Sequence, residues 1–221
     1  MIIDGIDVII QRKNIKNMYL RVVPPKGDVK ISTPLFVSDD KIIEFVESKI
    51  DWILSKQKQI ANREYVPKLK YVNGEKHYLW AEEYTLQLIA NNIKTAFVKE
   101  NTLYLPVSKR SKMKNRQKTL DDFYRLELQK EIADIYDKCT AKVGRKPSEI
   151  KIRKMKNWGN CKQNGVITLN LNLAKKPKIC LEYVLIHELC HLIEFNHSKK
   201  FKMLMDKNCP NWREIKKILN E

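Results

Sequence analysis

A chain of 221 residues, 43% hydrophobic and 31% charged, has the composition of a globular protein and is long enough to bury a sizeable core as one large domain or two modest ones. No apolar run approaches the roughly 20 residues a bilayer demands, and five cysteines, odd in number and without a Cys-x-x-Cys pair, argue against a disulfide framework or a thiolate zinc knuckle. The net charge of +17 is unevenly spread: residues 1–107 hold 16 Lys and Arg against 13 Asp and Glu, whereas residues 108–221 hold 27 against 13.

The chain opens with "MIIDGIDVII", which carries Asp4 and Asp7 where a secretory signal would carry lysines, so a cytoplasmic protein with no membrane contact is expected. Alternating segments bounded by Gly, Pro or Asn, at 4–13, 17–25 and 27–34, predict three strands arranged as a meander or hairpins. Ser38 then precedes an acidic first turn and apolar residues at Ile42, Phe45, Val46, Ile50, Ile53 and Leu54, the spacing of one long amphipathic helix. Strand patterns resume near residue 68. Asn73-Gly74 is a hairpin signal, and Asn91-Asn92 and Glu100-Asn101 read as further turns.

From residue 108 the period becomes helical, with Leu120, Phe123, Tyr124, Leu126, Leu128, Ile132, Ile135 and Tyr136 on an apolar stripe that ends at "VGRKP". A soft domain boundary is expected near 107, separating a β-rich N-terminal domain (1–107) from a domain at 108–221. Next come a short strand around Ile150, the loop "MKNWGNCKQNG", the alternating strand "VITLNLNL", and a helix from about Ile179 to Phe195. Two shorter helices close the chain, the last with Pro210 suited to its first turn. The basic excess is densest at 108–118 and 142–156, which points to DNA or another polyanion as a partner, with a solvated helix face as the plainer explanation.

"HELCHLIEFNH" holds three of the four histidines. His187 and His191, four apart on a helix, share a face with Cβ atoms about 5–6 Å apart, so both imidazoles can converge on one ion. Glu188 lies about 100° around that helix, beside an ion rather than on it, where a carboxylate can take a proton from water and return it to a leaving amine. A catalytic zinc site normally uses three protein ligands. His197 is the natural third, reaching back if Asn196 takes the left-handed conformation common past helix ends, with Ser198 free to cap the next helix. Glu194 is the rival, but a straight helix carries it about 4.5 Å beyond His191. The strand holding Val166, Ile167, Thr168 and Leu169 offers an edge on which an extended substrate can be laid. Tyr183, one turn before His187, is better explained by packing.

The stretch from "NWGNC" through "GVITLNLNLAKKPKICLEYVLIHELCHLIEFNHSKKF" resembles the YgjP-like metallopeptidases, relatives of the SprT-like and minigluzincin zinc proteases, and "QRKNIKNMYLRVVPPKGDVKISTP" is similar to the N-terminal part of that family. The resemblance implies that His187, His191 and His197 bind Zn2+ and that Glu188 is the catalytic base. Where the family has Arg-Trp-Gly-Ser-Cys this chain has Asn157-Trp158-Gly159-Asn160-Cys161, with Asn replacing Arg and Ser. The expectation is therefore an α+β, zincin-like peptidase that hydrolyses protein or peptide substrates. The alternative is a nucleic-acid-binding protein with a structural or vestigial zinc.

Overall fold

The computed structural model describes residues 1–62, 69–90, 93, 95–108 and 110–220; the Asn91-Asn92 turn lies outside them. Helices and sheets segregate into an α+β architecture of two compact units, Met1–Lys68 and Leu69–Glu221. The division falls well before the boundary expected near 107. The physical reason is a shared core: Leu79, Leu86, Leu103 and Leu105 from the strands after residue 68 are buried in one cluster with Leu120, Phe123 and Leu128 from the helix that follows. Burial of side chains this size, each contributing about 1.5–3 kcal/mol, binds those strands to the C-terminal half.

In the first unit, β1 (Ile2–Ile3), β2 (Ile6–Lys13), β3 (Tyr19–Val23) and β4 (Asp28–Pro34) form a sheet in the order β1-β2-β4-β3. β3 and β4 form one of the expected hairpins, but the sheet is not a meander, because β2 and β4 pair in parallel and β3 lies outside β4. The single long helix expected after it is two, α1 (Asp39–Glu47) and α2 (Ile50–Ala61). The break is local: the Ser48 hydroxyl donates to the Phe45 carbonyl at 2.8 Å, and a serine bonding its own backbone competes with the helical ladder. Ile42, Val46 and Ile53 still reach one apolar cluster with Val8, Val29 and Ile31.

The second unit begins with β5 (Lys76–Leu79), β6 (Glu82–Ile89), β7 (Phe97–Lys99) and β8 (Thr102–Pro106) in the order β5-β6-β8-β7. This repeats the first sheet's topology, including a parallel central pair, β6 with β8. This sheet's tight hairpin is at Trp80-Ala81, whose φ values of 53° and 70° put two non-glycine residues in the left-handed region, and not at Asn73-Gly74. Helix α3 (Met113–Val143) ends as its sequence predicts, with Gly144 at φ 71° donating its N–H to the Thr140 carbonyl.

A third sheet follows, of β9 (Glu149–Arg153), β10 (Gly159–Cys161) and β11 (Val166–Asn170), in the order β10-β11-β9. After a 3-10 turn (Leu171–Lys175), α4 (Lys178–Cys190) runs through the core. Its Cys180, Leu181, Leu185, Ile186, Leu189 and Cys190 are fully buried, and a helix apolar on nearly all sides belongs inside. Helices α5 (Lys199–Asn208) and α6 (Trp212–Asn220) flank it. Ser198 caps α5 as expected, its hydroxyl oxygen accepting from the Phe201 N–H at 3.3 Å. Ser198→Ala should therefore cost about 1 kcal/mol of stability, measurable by urea denaturation of the metal-free protein.

Candidate active site

Helix α4 supplies the first two histidines and then stops five residues short of the expected end at Phe195. Beyond Cys190 the chain tightens into i→i+3 bonds, Leu192 N–H to the Leu189 carbonyl and Ile193 N–H to the Cys190 carbonyl, each 3.0 Å. The shortened helix returns His197 to the same place. Asn196 takes no left-handed conformation in doing so, because the tightened turn already reverses the chain.

His187, His191 and His197 converge, with their ligand-capable atoms all within 4.8 Å of one another. The Nε2 atom of His187 lies 3.2 Å from that of His191 and 3.1 Å from that of His197. Three nitrogens each about 2.0–2.1 Å from a tetrahedral ion would be spaced by about 3.3 Å, so the cluster fits a small cation. The hydrogen-bond pattern fits as well. His191 presents Nδ1 to the Glu194 carbonyl at 3.1 Å, which accepts the Nδ1 proton and leaves Nε2 as a lone pair facing the cluster. Glu194, the rival ligand, thus serves through its backbone.

Burial favours the neutral form of His187 and His191, the form in which an imidazole can serve as a ligand. Burial, reinforced by His191, His197 and Lys216, pushes His187 down to about 3. Burial also lowers His191, against the Glu194 carbonyl. The rings share a wall that sequence reasoning missed, Phe201, which is 3% exposed, stacks on His191 at 4.4 Å and meets the edges of His187 and His197 at 4.9 and 4.8 Å. Its signal was available in the sequence: it stands four residues after His197. Tyr183 is buried, as packing predicts, and its ring also touches His187 at 5.9 Å.

Glu188 projects beside the trio, and burial raises its carboxyl to about 8. Across from it lies β10, a strand the sequence reading took for loop. A side chain at Gly159 would strike this carboxylate, since a Cβ there would come within 2.8 Å of both Cγ and Cδ of Glu188. The glycine is needed for the space. Cys161, on the same strand, is pushed up to about 11 by burial with Glu188 nearby, which keeps its thiol neutral.

The place expected for substrate moves by one strand. Val166, Ile167, Thr168 and Leu169 lie in β11, which is paired with β10 on one side and β9 on the other, so they offer no edge. The outer strand on the metal-site side is β10. The bonds Asn170 N–H to Trp158 carbonyl (2.9 Å) and Lys162 N–H to Val166 carbonyl (3.0 Å) set its alternation: residues 158, 160 and 162 face β11, and Gly159 and Cys161 turn their N–H and C=O groups to the open edge. A cleft of about 700 Å³ runs along this edge past Glu188 and the histidines, closed opposite by Trp212, Lys216 and Leu219 of α6.

Asn170 holds the approach to β10. Its buried amide donates to the Met155 and Asn157 carbonyls, each at 2.8 Å, and its oxygen accepts from Asn172 N–H at 3.0 Å. Asn170→Ala leaves two partly buried carbonyls without that donor, so unfolding free energy should drop by about 2–3 kcal/mol in chemical denaturation.

A family model described as the YgjP-like metallopeptidase domain matches residues 16–221. Among solved structures, the crystal structure of the metallopeptidase zymogen of Pyrococcus abyssi abylysin is 25% identical with a TM-score of 0.37, over 40% of this chain and 90% of that one. No curated protein matches the chain.

Proposed function

Given that the chain belongs to the YgjP-like metallopeptidase domain family, we propose that it is a zinc-dependent peptidase of the His-Glu-x-x-His type, with His187, His191 and His197 holding the ion and Glu188 as general base and then acid. The observation that carries the reading is the convergence of three imidazoles beside a buried carboxylate. When bound, zinc supplies a Lewis acid for the scissile carbonyl and lowers the pKa of water. The protein's own residues do the rest.

The N–H and C=O groups of Gly159 and Cys161 receive an extended peptide as an added strand, which holds its backbone along the cleft. Glu188, with Gly159 under its carboxylate, faces that backbone and is raised by burial into the range where a carboxyl both accepts and returns a proton near neutral pH. It takes the proton of the attacking water and delivers it to the leaving nitrogen. Phe201 and the Glu194 carbonyl fix the imidazole orientations.

Five free thiols, three of them buried, fit a reducing compartment, and we place the peptidase in the cytoplasm. Among the described residues no helix is long and apolar enough to cross a membrane. Nucleic acid as a further partner rests on the basic C-terminal half, whose charge is partly spent within the fold. Arg116 donates to Ser111 and to the Tyr71 carbonyl, Lys142 pairs with Glu182, and Lys154 with Asp121.

Metal analysis of the purified protein should find one zinc per chain, and the loaded protein should cleave an unfolded test protein, losing that activity to a chelator and regaining it with zinc. A protein that takes up zinc and cleaves nothing, with or without DNA, would leave the structural-zinc alternative standing.

A further inference from the structure

The third sheet has a second face, and it is basic. Register places Asn160, Thr168 and Lys151 in one row across β10, β11 and β9, with Asn170 and Arg153 in the row on one side and Lys162, Val166 and Glu149 in the row on the other. The alternate rows, Cys161-Ile167-Ile150 and Gly159-Leu169-Ile152, turn to the core. On the outer face a hollow of about 280 Å³ is lined by Lys151, Arg153, Lys154 and Lys162, with Asn160 and Thr168 between them. It shares Asn157 and Asn160 with the metal cleft, so the two are one surface divided by the β10 edge.

The charges along that edge have one sign. Lys151 is paired with Glu149 and Lys154 with Asp121, but Arg153 and Lys162 have no ion-pair partner among the described residues, nor do Lys202 and Lys216 on the cleft walls. Among the described residues, no carboxylate lines the hollow, and Glu188, 5% exposed, is the one that lines the cleft. A strand laid against β10 sends alternate side chains to the two faces. Those on one side enter the cleft, and those on the other stand beside Asn160 and Lys162, over the hollow.

We infer that this peptidase selects acidic substrates: Asp or Glu residues flanking the scissile bond are drawn into the hollow by Lys162 and Arg153 and toward the cleft walls by Lys202 and Lys216. The inference rests on the peptidase reading above and names its substrate class. The occupant is a peptide rather than a nucleic acid because the open groups at Gly159 and Cys161 are backbone amides, which an added peptide strand satisfies and a sugar-phosphate chain does not.

An exposed ion pair contributes only a few-fold in affinity, so two or more acting together give about a tenfold preference that shrinks in high salt. The test uses the zinc-loaded full chain and two quenched peptides of equal length, one with Asp and Glu flanking the cleavage point and one with Asn and Gln there. Binding of the same peptides to the Glu188→Gln variant is followed by fluorescence anisotropy. The expected result is about a tenfold higher kcat/KM and tighter binding for the acidic peptide, with Arg153→Glu/Lys162→Glu erasing or reversing the preference. Equal cleavage of both peptides, or preference for the neutral one, overturns the inference and leaves the peptidase intact. Cleavage of neither, in a zinc-loaded protein, overturns both. A duplex oligonucleotide that binds through Arg153 and Lys162 while the acidic peptide does not would also overturn it, assigning the surface to nucleic acid.

Discussion

Glu188→Gln should abolish proteolysis while leaving the metal in place. The amide is the same size as the carboxyl it replaces and the site is buried, so packing is preserved. Removing the charge-capable group also removes the cost of burying it, and stability is not expected to fall. Metal content should be unchanged because the cluster that could hold an ion is His187, His191 and His197 without Glu188. What disappears is proton transfer in both directions, a contribution of about 10²–10⁴ in rate. Steady-state kinetics alongside metal analysis decides the matter. A variant that keeps its zinc and cleaves as fast as the parent sinks the assignment of Glu188; one that loses its zinc makes Glu188 part of the metal site instead.

The two halves of this site differed in how plainly the sequence announced them. His187, Glu188 and His191 were legible because a helix fixes their relation within one turn, and His197 because it follows six residues after His191 in a chain otherwise poor in histidine. Glu188's counterpart was not legible. Gly-Asn-Cys at 159–161 sits in a polar stretch with no alternating pattern, and it becomes a strand only by pairing with β11. The same cause explains the substrate edge assigned to Val166, Ile167, Thr168 and Leu169. Their alternation identified a strand, but whether a strand is central or outermost depends on neighbours that the pattern does not encode.

Topology was hidden for a related reason. Three parallel pairings, β2 with β4, β6 with β8 and β9 with β11, join strands that are not consecutive, whereas local turn signals suggest hairpins. The left-handed pair Trp80-Ala81 carries no glycine to mark it; Trp80 N–H is held instead by the Ala174 carbonyl at 2.7 Å, a contact across 94 positions of chain. Helix α3, by contrast, was placed with its Gly144 stop, because its stripe and its terminator are both local.

Gly159→Ala turns the hidden half of the site into a measurement. Space for the added methyl can come only from Glu188, whose Cγ and Cδ lie 2.8 Å from it, or from a shift of β10 itself. Strand β10 is held by its bonds to β11 and by the loop that Asn170 anchors, so the side chain is the softer partner. A base displaced by about 1 Å costs on the order of 10²-fold in rate, and kcat/KM should fall by that amount with zinc content retained. Stability should change far less than activity, because the methyl pushes on one side chain and removes no core contact. The double variant Gly159→Ala/Glu188→Gln distinguishes this from a general disturbance of the cleft. If the glycine acts by placing the base, the double variant is no slower than Glu188→Gln alone, since residues acting as one unit are not additive. A further hundredfold loss in the double variant would show that Gly159 acts on the substrate edge independently of Glu188.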